Sequence, residues 1–255
     1  MISDLREKCD RGETIFACWC GLRDPLFIRH VAEQGFDAVV IDSQHGFNDE
    51  YSTCQGITSV VNAGKMPIVR VPVDRWDMIQ RVLDFGAVGT IAPMVNTRKD
   101  AELFVAAAKY PTLGERSYGP RHAAMIHRIK DVGDYVAGAN ANTITLAQIE
   151  TREAYENLDE ILAVDGLDGV LMGPQDFAIF MEERLDPKPY GPETVDAVRI
   201  IAEKTRAAGK LAAAFTASGE HAKLVQSFGY QLVSLALDTQ LIAFGAAKVL
   251  SEAKD

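Results

Sequence analysis

The chain has 255 residues, 47% hydrophobic and 24% charged, with 26 Lys and Arg against 36 Asp and Glu for a formal net charge of −10. That balance supplies apolar mass for the full core of one large α/β domain and excludes disordered and collagen-like chains. An acidic chain without a Lys/Arg cluster is also a poor nucleic-acid binder, because phosphate neutralisation supplies most of that affinity.

In chain order, the opening Met1-Ile2-Ser3-Asp4-Leu5-Arg6-Glu7-Lys8 is too charged for a secretory segment. No later apolar run approaches the roughly 20 residues that span a bilayer. The expectation is a cytoplasmic protein with no membrane partner. Short β-rich apolar runs then alternate with stretches of helical period: strand 14–20, helix 25–34, strand 37–42, helix 49–63, strand 66–71, helix 75–85, strand 88–93 and helix 99–109. After a long segment at 110–142 come strand 143–150, helix 152–163, strand 168–172, a second long segment at 173–192 with its Pro187-Lys188-Pro189-Tyr190-Gly191-Pro192 run, and helix 193–208. Strand 210–215, helix 219–228, strand 231–237 and helix 240–250 complete the series. Gly35, Gly64, Gly86, Gly209 and Gly229 stand where helices should end in a left-handed residue. Both long segments exceed a usual connection, which points to functional or interfacial roles.

Eight strand–helix units with nearly continuous apolar strands predict a closed parallel (β/α)8 TIM barrel, one domain over 1–255. A doubly wound open sheet is the runner-up, weakened by the lack of GxGxxG after a first strand. Cys9, Cys18, Cys20 and Cys54 form no CxxC pair and read as structural thiols, with Cys18 and Cys20 on one strand face.

In such a barrel, chemistry sits where the strands end. Asp42 closes one predicted strand and runs into Ser43-Gln44-His45-Gly46; Arg70 lies at the next mouth, Gln148-Ile149-Glu150 at another, and Gly173-Pro174-Gln175-Asp176 follows strand 168–172. Glu150 and Asp176 fall on adjacent mouths, and oxygen ligands suit a hard cation such as Mg²⁺ or Mn²⁺. Taken singly, each could instead cap a helix or turn. Asp42 lies three residues before His45, a spacing that lets a carboxylate orient an imidazole. Arg70 needs an anionic partner, either substrate or Asp42. His30, His122, His127 and His221 read as surface or interface residues. Of the lysines, Lys65 and Lys210 precede their strands and none ends one, so a Schiff-base lysine has no place at the mouth.

Together Asp42-Ser43-Gln44-His45-Gly46, Arg70-Val71-Pro72, Asp84-Phe85-Gly86-Ala87, Glu150-Thr151-Arg152-Glu153-Ala154 and Gly173-Pro174-Gln175-Asp176 resemble the HpcH/HpaI aldolase family, over about 14–250. The resemblance implies a class II aldolase that joins pyruvate, or a related 2-oxo acid, reversibly to an aldehyde. It implies a divalent metal (Mg²⁺, Mn²⁺ or Co²⁺) on Glu150 and Asp176, and no organic cofactor. His45, steered by Asp42, would move the proton, and Arg70 would contact the keto oxygen. Backbone N–H groups of Gly173, Gln175 and Asp176, Pro174 having none, would receive the carboxylate. Trp19 and Gln148 match pocket positions, and Asp84 matches a residue presented to a neighbouring subunit's site.

The segment Phe177-Ala178-Ile179-Phe180 departs from the family's more usual Leu-Ser start and leaves the acceptor aldehyde open. A CoA-thioester lyase shares the metal logic but needs a basic cluster for nucleotide phosphates, which the sequence lacks. A noncatalytic 2-oxo-acid-binding barrel would have no use for His45 and Asp42. Finally, Leu241, Ile242, Phe244, Val249 and Leu250 spread around much of the last helix, which calls for a second covering surface. The resemblance implies a homo-hexamer built from dimers that exchange this helix.

Overall fold

A computed structural model describes residues 4–183, 185–186 and 188–254. Met1, Ile2, Ser3 and Pro187, named above, lie outside the described residues. Eight strands form the closed barrel: β1 (Ile15–Cys20), β2 (Ala38–Asp42), β3 (Met66–Arg70), β4 (Gly89–Ala92), β5 (Ile144–Ile149), β6 (Gly169–Met172), β7 (Leu211–Phe215) and β8 (Leu232–Leu237). Each pairs in parallel with the next, and β8 returns to β1. The (β/α)8 expectation therefore holds, and the open-sheet alternative does not.

Side-chain alternation divides the interior into two cores. Ala17, Trp19, Val40, Ile68, Leu146, Leu171 and Ala213 fill the barrel, while Cys18, Cys20, Val39, Ile41, Val69 and Val170 point outward into the helical layer. A strand buried on both faces has no polar side to show, which is why these runs read as continuous hydrophobic stretches. The shared outward face of Cys18 and Cys20 is the one predicted.

All five helix-closing glycines adopt positive φ, between 71° and 106°. The helix expected at 152–163 is instead two pieces, Arg152–Glu156 and Leu158–Leu162. The break falls at Asn157, whose amide donates to the Asn96 carbonyl at 2.9 Å. Segment 110–142 is not merely a loop: it contains helices Arg121–Ile126 and Val132–Asn142. Their small apolar faces pack through Ala123, Tyr135 and Ala139 into a side core with Tyr110. A further helix, Pro174–Glu182, follows β6, and another, Asp4–Asp10, precedes β1.

The N-terminal end of the barrel is held by an ionic cluster around the buried Lys109. Lys109 Nζ donates to Asp168 at 2.8 Å and to the carbonyls of Thr143 (2.7 Å) and Asn140 (3.0 Å). Arg6 pairs with the other oxygen of Asp168. Among the described residues, no helix is long and apolar enough to cross a membrane. The last helix, Asp238–Lys254, leaves Ile242, Phe244, Val249 and Leu250 from 51% to 64% exposed.

Candidate active site

At the opposite end, where the strands finish, a cavity of about 350 Å³ collects Trp19, Asp42, His45, Arg70, Gln148, Gly173, Pro174, Gln175 and Asp176. Arg70 grips Asp42 with two bonds, Nε to Oδ1 at 3.0 Å and Nη2 to Oδ2 at 2.7 Å. This answers which anion Arg70 holds, and leaves Nη1 outside the pair. The guanidinium carbon sits 4.8 Å from the Trp19 ring centroid. Burial alone would push the Asp42 carboxyl up, but the bonds and charge of Arg70, with the Trp19 side chain and the Gln44 N–H, hold it below the usual carboxylate range.

The expected steering of His45 by Asp42 takes a different form. Asp42 Oδ1 accepts the backbone N–H groups of Gln44 (3.0 Å) and His45 (3.3 Å), so the carboxylate shapes the turn rather than a ring nitrogen. An Asx-type turn is the natural use of a carboxylate followed by two free amides. Gly46 lets that turn lie flat on β1: a Cβ there would stand 2.3 Å from the Asp42 carbonyl oxygen and 2.9 Å from that of Gly21. Phe47 N then bonds Gly21 O at 2.8 Å.

Glu150 is only 2% exposed and sits behind Gln148 and Gly173. Its oxygens accept from the Met94 backbone N–H (2.8 Å) and Gln148 Nε2 (2.5 Å). Burial pushes its pKa from 4.5 up to about 7, the Met94 N–H pulls it down, and the nearby Asp176 charge pushes it up again. The Arg70 charge and the Gln148 side chain pull it down in smaller measure. The helix-capping alternative fails for Glu150, because Thr151 Oγ1 caps the following helix by accepting from Ala154 N at 3.0 Å. Gly173 is spatially required: a Cβ would come within 2.7 Å of Gln148 Nε2 and 2.9 Å of Glu150 Oε2.

Among the described residues, no three His, Cys, Asp or Glu side chains gather closely enough to hold an ion alone. Two carboxylates, with substrate oxygens and water completing the shell, match how Mg²⁺ is usually held. Gln148 Oε1 adds a buried oxygen without a protein partner. These residues fit a hard divalent cation.

The expected carboxylate cradle is smaller than predicted. Gly173 N already donates to Ile149 O at 3.2 Å, and Pro174 has no N–H, which leaves Gln175 and Asp176. No side chain caps this helix, so its first turn suits a carboxylate. Asp84 is not brought to this cavity: it lies near the C-terminal end of helix Trp76–Phe85, bound to Arg116 at 2.6 Å. The buried lysine, Lys109, is at the far end of the barrel. Among the other histidines, His127 bonds the Gly86 carbonyl at 2.8 Å and His122 contacts Thr58 at 3.3 Å.

Several contributors escaped the sequence reading. Met94, Leu22, Phe47, Phe215 and Leu237 build walls or donate backbone groups. Asp238, at the end of β8, accepts from Leu22 N at 2.9 Å and Thr239 N at 2.7 Å. The available signal was position alone, since Phe215 and Leu237 end their strands and the others follow one; backbone donors and apolar walls carry no chemical signature.

The family described as HpcH/HpaI aldolase/citrate lyase matches residues 16–243. A hydroxypyruvate/pyruvate aldolase of Rhizorhabdus wittichii is 35% identical over 253 residues, covering 99% of both chains. A 4-hydroxy-2-oxo-heptane-1,7-dioate aldolase of Klebsiella pneumoniae is 33% identical over 246 residues, 96% of this chain and 92% of that one. The crystal structure of an HpcH/HpaI aldolase from Desulfitobacterium hafniense superposes with a TM-score of 0.88 at 26% identity, covering 98% of this chain and 96% of that one.

Proposed function

This chain belongs to the HpcH/HpaI aldolase/citrate lyase family, and from that membership we propose that it is a carbon–carbon lyase, a pyruvate aldolase that reversibly cleaves 4-hydroxy-2-oxo acids to pyruvate, or a related 2-oxo acid, and an aldehyde. The observation that carries this reading is the convergence of Asp176, Arg70, His45 and an uncapped helix N-terminus on one cavity backed by Glu150, with no lysine among its lining residues.

In this reading Glu150 and Asp176 hold a divalent metal, Mg²⁺, Mn²⁺ or Co²⁺. When bound, it supplies Lewis-acid polarisation of the 2-oxo acid's ketone oxygen. The Gln175 and Asp176 N–H groups receive the carboxylate, and Gln148 and Trp19 border the donor. Arg70, fixed by Asp42, directs Nη1 at the ketone oxygen, where negative charge grows. His45 takes a proton from carbon 3; the resulting carbon nucleophile forms a bond to the aldehyde carbon, and His45 returns the proton to the aldehyde oxygen. Cleavage is the reverse. No organic cofactor enters this scheme, and no nucleic acid is a partner.

The same reading makes the protein a cytoplasmic homo-hexamer in which the final helix is exchanged between subunits and Asp84 serves a neighbour's site. The test of the chemistry is pyruvate release from a panel of 4-hydroxy-2-oxo acids. Chelator should abolish it and divalent metal restore it, and borohydride with pyruvate should trap no lysine. His45→Ala should slow solvent exchange of pyruvate methyl protons by about 10²–10⁴-fold, as for a lost general base. Covalent trapping on a lysine would refute the class II assignment.

A further inference from the structure

Tyr190, in sequence between helices Pro174–Glu182 and Val195–Ala207, lies against the mouth of β7. There the Tyr190 hydroxyl donates to the carbonyl oxygen of Phe215, the last residue of that strand. Its ring lies 4.7 Å from that of His221, on the helix Gly219–Phe228 that follows β7. Tyr190 holds a φ of 62°, a left-handed conformation that a bulky residue keeps only where its surroundings enforce it. Strand end and following helix are thus fastened by one side chain.

Phe215 lines the cavity and meets the Trp19 ring edge-on, with centroids 5.4 Å apart. The polar groups of the site serve the 2-oxo acid: Arg70 its ketone, the helix N-terminus its carboxylate. Of the remaining lining, which also includes Asp238 and Thr239, the side chains of Leu22, Phe47, Phe215 and Leu237 are apolar and are left to the carbon chain of the second substrate. Tyr190 comes after β6 in the chain and fastens to the end of β7, the neighbour of β6 in the barrel. This anchorage bears on where the Phe215 ring stands.

Resting on the aldolase reading above, we propose that Tyr190 is a positioning residue for the acceptor aldehyde. By holding the Phe215 carbonyl it fixes how far the Phe215 ring projects into the cavity, and so how bulky an aldehyde is accepted. The proton-transfer groups are not part of this contact: Arg70 is held by its two bonds to Asp42, at the end of β2.

Tyr190→Phe removes the hydroxyl and keeps the ring against His221. Two quantities are measured in this variant and in the unaltered protein: solvent exchange of pyruvate methyl protons, which needs no aldehyde, and kcat/KM for glycolaldehyde against 2-methylpropanal. Exchange should be unchanged, while the preference for the smaller aldehyde should fall roughly five- to tenfold, the equivalent of one neutral hydrogen bond, expressed in the aldehyde KM. Tyr190→Ala, which also gives up the His221 contact, should relax the preference further. An unchanged preference with a lower melting temperature would make Tyr190 structural only and overturn the proposal. So would exchange that falls in step with aldehyde addition. Absence of pyruvate exchange in the unaltered protein would overturn the aldolase reading itself, and this proposal with it.

Discussion

Glu150 carries opposing demands in a single carboxyl group. Without a cation its buried carboxyl prefers the proton, with a pKa raised from 4.5 to about 7. The folded metal-free state therefore binds a proton that the unfolded chain has released between those values, and stability falls as pH rises through that window. The whole contribution is present below about 4.5 and lost above about 7, and amounts to roughly 3 kcal/mol. Urea unfolding of the metal-free protein across pH 4.5–8 should show this decline, and Glu150→Gln should flatten it. A divalent cation reverses the balance by favouring the ionised carboxyl, so added Mg²⁺ should raise the melting temperature more at pH 8 than at pH 6. Equal shifts at both pH values would argue that Glu150 is not a ligand.

At the scale of elements, strands and their mouths were legible because a parallel strand buried on both faces announces itself as an apolar run, and a polar residue at its end has few reasons to be there. Asp42, Arg70, Gln148 and Asp176 were found this way. What the sequence could not convey was partnership. Asp42 looked like a support for an imidazole and is a clamp on Arg70 and on a turn; the Gly173 N–H looked available to a substrate and is spent on Ile149. Helix Val132–Asn142 was missed because Gly, Ala and Asn dilute its apolar period. Its packing rests largely on Tyr135 and Ala139.

The ionic cluster at the barrel's base was equally hidden, since Arg6, Lys109 and Asp168 come from three distant stretches. Removing one member of a buried pair strands the other's charge, so Asp168→Ala should lower the unfolding free energy by about 3–5 kcal/mol. The KM for pyruvate should not move, because the cavity is at the other end. Lys109→Met should cost less, because Asp168 retains Arg6. Denaturation curves and steady-state kinetics on the two variants check both statements, and equal losses would discount the stranded charge as the cause.

For the molecule as a whole, the final helix is the surface with most to explain. Four large apolar residues more than half exposed around one helix are surface that a solitary subunit would leave in water. Truncation before Thr239 should cost solubility and activity together, whereas an active, soluble truncated monomer in analytical ultracentrifugation would leave that surface without its proposed partner. The first residue of that helix, Asp238, is also part of the cavity wall and holds the Leu22 amide. In the proposed hexamer, association and turnover share one piece of backbone, and mass action reaches the chemistry: specific activity should decline on dilution below the dissociation range, recover on reconcentration, and lag behind mixing by the time subunits need to find one another.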